Sequence, residues 1–372
     1  MSWLGRTFWR YLTALVNPPL YQSPFYAIES LHVARAYSVA AELGIADLLR
    51  DGPRSIEQLA ADSQANPQSL LRILRLLASF GVFAEDRQGR FCLTGRARVL
   101  RSDVPGSLRA WLILMGRKEM WQAYACTLEG VRSGKPPFEL AHGMPFWDYL
   151  AAHPELAQTF FTALADWTDG HCSQVVEAFD FGRFRNIIDV GGGMGLLLEK
   201  ILTRYPGVSG TLFDRAETVH SAQKRFQRLG LGERCRFVGG SFFDSIPVGH
   251  DAYVFKHVIQ DWHDEGARDV LCNVRRSMAP DATLLVIGPV VDPRNGKQRL
   301  VKLLDQENAV LLPGRFRTRD ELQSLLASAG FDLLGLHPTS FSDLQIAEAR
   351  PAAAASGNGR SGDRAQPAGK SE

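Results

Sequence analysis

The segment that most constrains this chain runs from Asn186 to Tyr205. Ile187-Ile188-Asp189-Val190 reads as a buried strand and Leu196–Tyr205 as an amphipathic helix, with Gly191-Gly192-Gly193-Met194-Gly195 between them. A backbone that turns sharply from strand to helix and comes within touch of a ligand needs residues without a Cβ that accept positive φ. Asp214 ends the next strand, 19 residues after Gly195, where a carboxylate accepts hydrogen bonds from ribose hydroxyls. A glycine run alone is weak evidence, and a bare turn without a ligand is the alternative. Strand, loop, helix, strand and acid together specify a nucleotide-type site on an α/β sheet.

Two details narrow the ligand. The dinucleotide pattern requires a small residue where this chain has Leu196, and no Lys-Ser/Thr pair follows as a phosphate loop requires. Asp189, beside the loop, repels a pyrophosphate but favours an ammonium group. An adenosyl cofactor with a methionine moiety fits both.

Around this segment the chain divides by pattern. After Phe181, short strands alternate with helices, the signature of a doubly wound sheet. Seven strands are expected: Asn186–Val190, Gly210–Phe213, Arg236–Val238, Ala252–Phe255, Thr283–Ile287, Phe331–Leu336 and Leu344–Ala349. Residues 26–104 read differently. A helical pattern covers Tyr26–Arg50, Ser55 caps Ile56–Ala61, and Asn66 with Pro67 opens Gln68–Phe80. Two apolar runs flanking Asp86–Gly89 then predict a hairpin. Three helices and a hairpin form a winged-helix-like unit, which raises DNA binding as an alternative. The would-be recognition helix carries Leu70, Leu71, Ile73, Leu74, Leu76 and Leu77 with only Arg72 and Arg75, so dimerisation fits it better. The formal charge of +2 also argues against a phosphate-binding partner.

Between the two units, residues 105–180 are mostly helical and dense in large side chains, among them Trp111, Met115, Phe146, Trp147, Phe160 and Phe161. That density suits the wall of an apolar pocket for a flat substrate. Residues 1–25 form an aromatic arm, read as packing on a partner subunit, with weak membrane-surface contact as the alternative. The Ala-, Gly- and Pro-rich tail over 351–372 reads as disordered. Five scattered cysteines without paired spacing imply reduced thiols and no metal site. With neither a signal peptide nor a membrane-spanning run, the expected location is cytoplasmic.

The motifs Asp189-Val-Gly-Gly-Gly-Met-Gly195, Leu212-Phe-Asp214, Gly240-Ser-Phe-Phe-Asp-Ser-Ile-Pro247 and Phe255-Lys-His-Val-Ile-Gln-Asp-Trp-His-Asp-Glu265 resemble the small-molecule O-methyltransferases, the family of caffeate, hydroxyindole and bacterial phenazine and polyketide enzymes. The resemblance extends from about Tyr26 to Ala349. It implies a Rossmann-like methyltransferase domain behind a dimerisation domain, a homodimer, S-adenosylmethionine as cofactor and an aromatic small-molecule substrate. By the same resemblance Gly191, Gly193 and Asp214 hold the methionine and ribose ends, Phe242 packs on adenine, and Lys256 and Trp262 close over the cofactor. Ser241 stands where the family has an aspartate that reaches the adenine amine.

The family's acid–base residues do not carry over. Its general-base histidine is Gln260 here, and its two glutamates fall at Gly288 and Phe316. Gln260 therefore keeps a positioning role only. His142, in the aromatic region, is a candidate replacement, while His257 and His263 flank the motif and read as structural. A sulfonium methyl is already activated, so proximity and orientation can carry the reaction without the histidine. Two alternatives remain: an enzyme of this fold that uses the sulfonium charge for a pericyclisation, decarboxylation or hydroxylation, and a winged-helix regulator that senses the cofactor.

Overall fold

Local signals set the N-terminal helices. The computed structural model describes residues 24–294, 297–340 and 344–353, so most of the arm over 1–25 and of the tail over 351–372 lies outside it. The first helices are α1 (Pro24–Glu42), α2 (Ile45–Leu48), α3 (Ile56–Asp62) and α4 (Pro67–Ser79). The pattern over 26–50 is two helices rather than one, because Gly44 adopts φ +64° and ends the first. Ser55 and Gln58 form a reciprocal capping box, and the Asn66 side chain accepts from Ser69 N at 3.0 Å. Asp86 accepts from the Gln88 and Arg90 amides, both at 2.9 Å, and so closes the hairpin of β1 (Phe83–Glu85) and β2 (Phe91–Leu93). Leu70, Leu74 and Leu77 of α4 are buried with Phe83 and Phe91, and Arg75 is engaged by Glu85 at 2.9 Å. Among the described residues that pairing leaves Arg72, of the two cations a groove reader would use, without a side-chain partner.

Six helices follow: α5 (Arg109–Gly116), α6 (Lys118–Ala125), α7 (Thr127–Ser133), α8 (Pro137–His142), α9 (Phe146–Ala152) and α10 (Pro154–Ala178). Their core is aromatic, with Phe138 and Phe160 packed edge-on against Phe146 at 4.9 and 5.0 Å.

The sheet contains β3 (Asn186–Val190), β4 (Ser209–Asp214), β5 (Cys235–Gly239), β6 (Ala252–Lys256), β7 (Thr283–Val291), β9 (Phe331–Pro338) and β10 (Leu344–Pro351) in the order β5-β4-β3-β6-β7-β10-β9. The first five run parallel, and β10 is antiparallel to both its neighbours. One short strand was not anticipated: β8 (Arg317–Thr318) pairs with Val290 and Val291. It also explains why β7 outruns its expected end at Ile287. Backbone partners on both sides, β10 along Gly288-Pro289 and β8 along Val290-Val291, hold this end extended. Helices α11 (Leu196–Arg204), α12 (Ala216–Arg228), α13 (Asp264–Ser277), α14 (Arg299–Leu311) and α15 (Arg319–Ser328) complete the unit. The strand order reverses between β3 and β6, and the carboxyl ends of such strands are where α/β sheets bind ligands.

Candidate active site

The glycine loop leaves β3 at that reversal. Gly191, Gly193 and Gly195 all take positive φ, at 68°, 58° and 75°. A Cβ on Gly192 would lie 2.5 Å from Leu212 and 2.6 Å from the Asp189 carboxyl carbon, whereas one on Gly193 would meet nothing within 4 Å. Gly192 is thus fixed by packing, and Gly193 is the open face of the loop. Asp214 Oδ2 accepts from Gly193 N at 2.8 Å and its Oδ1 from Arg215 N at 2.7 Å. The acid at the end of β4 therefore also shapes the loop.

Asp189 is 2% exposed, and neither carboxylate oxygen has a hydrogen-bond partner among the described residues. Burial pushes its carboxyl up to about 7, although the Lys256 charge pulls the other way. A buried carboxylate without donors marks the place of a missing cation. The ammonium of a methionine moiety is such a cation, so the residues present fit the cofactor that the sequence implies. The Trp262 indole nitrogen is likewise buried without a partner.

A single cavity of about 520 Å³ holds both ends of the site. Of the residues named from the sequence, Asp189, Gly191, Gly193, Asp214, Ser241, Phe242, Lys256, Gln260 and Trp262 all line it. Asn273 Nδ2 donates to the Phe242 and Phe243 carbonyls at 2.9 and 2.6 Å, which fixes the turn carrying Ser241 and Phe242. Trp262 stands edge-on to Phe243 at 4.6 Å. The far wall is apolar: Trp111, Phe146, Trp147, Phe160, Phe161 and Leu304.

His142 is not brought to the cavity. Its Nε2 bonds the Glu119 carbonyl at 3.0 Å, and its ring packs on Phe138 and Tyr149. His263 caps α13, accepting from Gly266 N at 2.9 Å. His257 lines the cavity beside Gln260 and is the partner of its amide. The strand's end turns through φ 56° at His257, and this rotation brings the ring inward. The Gln260 amide nitrogen lies 2.8 Å from His257 Nδ1. An amide nitrogen only donates, so Nδ1 accepts and the neutral ring carries its proton on Nε2. Burial, then the Lys256 charge, hold this imidazole well below its ordinary range. His171, also in the wall, is lowered by burial to about 3. No histidine of the cavity is a useful base near neutral pH.

The other face of the Gln260 amide looks onto Gly288, where a Cβ would sit 2.7 Å from Gln260 Oε1. Gly288 and Gln260 fit as a pair. The loop beneath them depends on residues that the sequence reading missed. Arg317, 5% exposed, donates to the Ile259 carbonyl at 3.2 Å, the Trp262 carbonyl at 3.0 Å and Asp264 at 2.8 Å. Asn308 Nδ2 donates to the Gln260 carbonyl at 3.2 Å. Gly314 packs so closely that a Cβ would lie 2.0 Å from that same carbonyl. A buried arginine at the start of a two-residue strand carries no local signal of such a role.

The O-methyltransferase domain model matches residues 124–332, and the O-methyltransferase dimerisation domain model matches 27–103. A phenazine O-methyltransferase of Lysobacter antibioticus is 40% identical over 333 residues, 90% of this chain and 97% of that protein. An aclacinomycin 10-hydroxylase of Streptomyces purpurascens is 34% identical over 86% of this chain and 90% of its own. Among solved structures, an O-methyltransferase from neocarzinostatin biosynthesis, in complex with S-adenosylmethionine and 2-hydroxy-5-methyl naphthoic acid, superposes with a TM-score of 0.76. It is 30% identical, with 86% of this chain and 96% of that chain covered. The chain belongs to the O-methyltransferase family, whose methyl donor is S-adenosylmethionine.

Proposed function

We propose that this chain methylates a flat, largely apolar aromatic small molecule, with a hydroxyl oxygen as acceptor, by holding donor and acceptor in line. The observation that carries the reading is the continuity of the cavity: its polar end is built on the glycine loop and Asp214, and its far wall is aromatic. S-Adenosylmethionine supplies an activated methyl group when bound. Asp189, Gly191 and Gly193 receive the methionine end, Asp214 the ribose hydroxyls, and Ser241 and Phe242 the adenine. Lys256 and Trp262 close over it. Gln260, fixed by His257 and fitted over Gly288, positions the acceptor instead of deprotonating it. Orienting two reactants supplies effective molarities of about 10⁵–10⁸ M, against about 10²–10⁴-fold for a general base.

In this reading residues 26–104 form the dimerisation domain, 105–180 the acceptor wall and 181–350 the cofactor domain. Ile28 and Leu31 on α1 are 60% and 52% exposed, which a homodimer would cover. Light scattering should give twice the monomer mass, and a monomer would end that part of the proposal. Among the described residues no helix is long and apolar enough to cross a membrane, and all five cysteines are unpaired. Both fit work in the cytoplasm.

The test is release of S-adenosylhomocysteine with a panel of hydroxyphenazines and hydroxynaphthoates. The hydroxylase among the relatives favours one second reading, in which the cofactor is needed but keeps its methyl group. Cofactor-dependent consumption of an acceptor without S-adenosylhomocysteine would select that reading.

A further inference from the structure

The base missing at Gln260 leaves a question of where the acceptor's proton goes. Glu307 lies on α14, one residue from Asn308, whose amide holds the Gln260 carbonyl. It lines the same cavity, and its Oε1 is buried with no hydrogen-bond partner among the described residues. Its neighbours on the helix, Leu304 and Leu311, belong to the apolar wall. A carboxyl placed among such residues with nothing to bond is poised for a donor that arrives with a ligand.

We propose that Glu307 receives the proton of the acceptor hydroxyl, taking in this chain the part that a histidine takes elsewhere in the family. The inference rests on the methylation reading above. The acceptor's O–H bond breaks, its proton passes to the Glu307 carboxylate and the electron pair stays on oxygen. That pair forms the new O–CH₃ bond while the S–CH₃ pair returns to sulfur, and Glu307 then gives its proton to solvent.

The electrostatics suit the role. Burial pushes the Glu307 carboxyl up to about 7, where a base is about half ionised at neutral pH and strong enough to act there. Of the titratable groups around it, Tyr124 on α6 is the one coupled to it, the Glu307 charge helping to raise the phenol. Glu119 on α6 and His142 on α8 are engaged with one another's surroundings through the Glu119 carbonyl. Lys256, His257 and Asp261 also line the cavity, and none of these groups offsets the burial of Glu307.

The test has two arms, both on the full-length protein. The first needs no methyl transfer. With S-adenosylhomocysteine present, binding of 2-hydroxyphenazine and of phenazine is followed by quenching of the cavity tryptophans. The preference for the hydroxylated ring should grow severalfold as the pH rises from 6 to 7.5, up to the roughly eightfold rise in the ionised fraction of a carboxyl near 7. Glu307→Gln should abolish that growth and leave cofactor binding unchanged. In the second arm kcat/KM should rise through pH 7, and Glu307→Gln should remove this limb with about a 10²-fold loss. Glu307→Asp should keep part of the rate. A preference that survives Glu307→Gln, or a limb that persists there and vanishes in Asp261→Asn, overturns the proposal. If the probes bind with the Glu307-dependent preference but no acceptor yields S-adenosylhomocysteine, the methylation reading fails while Glu307 as the hydroxyl's partner stands. Failure of either phenazine to bind counts against both.

Discussion

The two ends of the cavity are built in opposite ways. The cofactor end is made of backbone: three positive-φ glycines, amides held by Asp214, and a turn pinned by Asn273. The acceptor end is made of side chains from helices far apart in sequence, with α5, α9, α10 and α14 each contributing. Backbone geometry admits few substitutions, and by the resemblance drawn from the motifs the first end departs from the family pattern at Ser241. Side-chain walls can be exchanged residue by residue, and by the same resemblance the family's acid–base positions are Gln260, Gly288 and Phe316 here. The chemistry common to the family sits at the rigid end, and what distinguishes this chain sits at the adaptable one.

The largest effect should come from the support shared by both ends. Arg317→Met strands two buried carbonyls, Ile259 and Trp262, at about 1–3 kcal/mol each. Its ion pair with the exposed Asp264 adds little, since solvent screens it. Thermal unfolding should show a loss of roughly 2–6 kcal/mol, with turnover falling in parallel. An unchanged melting temperature would mean that the Gln260 loop is held by something else.

At the backbone end, Asp214→Ala should weaken S-adenosylmethionine binding by about 1.5–3 kcal/mol, the range for hydrogen bonds to a charged group. Calorimetry reads this directly, and full affinity in the variant would remove Asp214 from the ribose. At the side-chain end, Gln260→Ala should lower kcat less than tenfold, because a positioning amide is lost and not a base. A drop of 10²-fold or more would make the two ends alike in their intolerance and break the comparison.

The smallest effect is a proton. Asp189, raised to about 7 by burial, is about half protonated at pH 7 in the free protein. Pairing with an ammonium ionises it, so cofactor binding should release roughly half a proton more from the native protein than from Asp189→Asn. Calorimetry in buffers of different ionisation enthalpy measures the difference. The sign follows for stability too. A carboxyl whose folded pKa is raised favours the fold below the ordinary carboxylate range and loses that contribution as pH rises towards 7. The free protein should therefore soften over that window, and the cofactor should restore it.

Much of this molecule was legible in the linear chain because it depends on local chemistry. Ser55 and Asn66 as caps, the hairpin at Asp86–Gly89, the strand–glycine–helix segment and the acid at Asp214 act through neighbours a few residues away. All seven expected strands form, within one residue at the starts and four at the ends. Tertiary structure decided the rest. Nothing in the sequence around His142 or His257 says where either ring points, and only the fold shows that the first packs on Phe138 while the second turns into the cavity at positive φ. Arg317 and Gly314 reach the Gln260 loop across more than 50 positions of chain. Helix α14 belongs by sequence to the sheet domain, yet Val310 and Leu311 bury themselves in the aromatic core of residues 114–163. That crossing carries Glu307 into the acceptor wall. A carboxyl's burial and the absence of partners are properties of everything around it, so no reading of Glu307 by itself could reveal them.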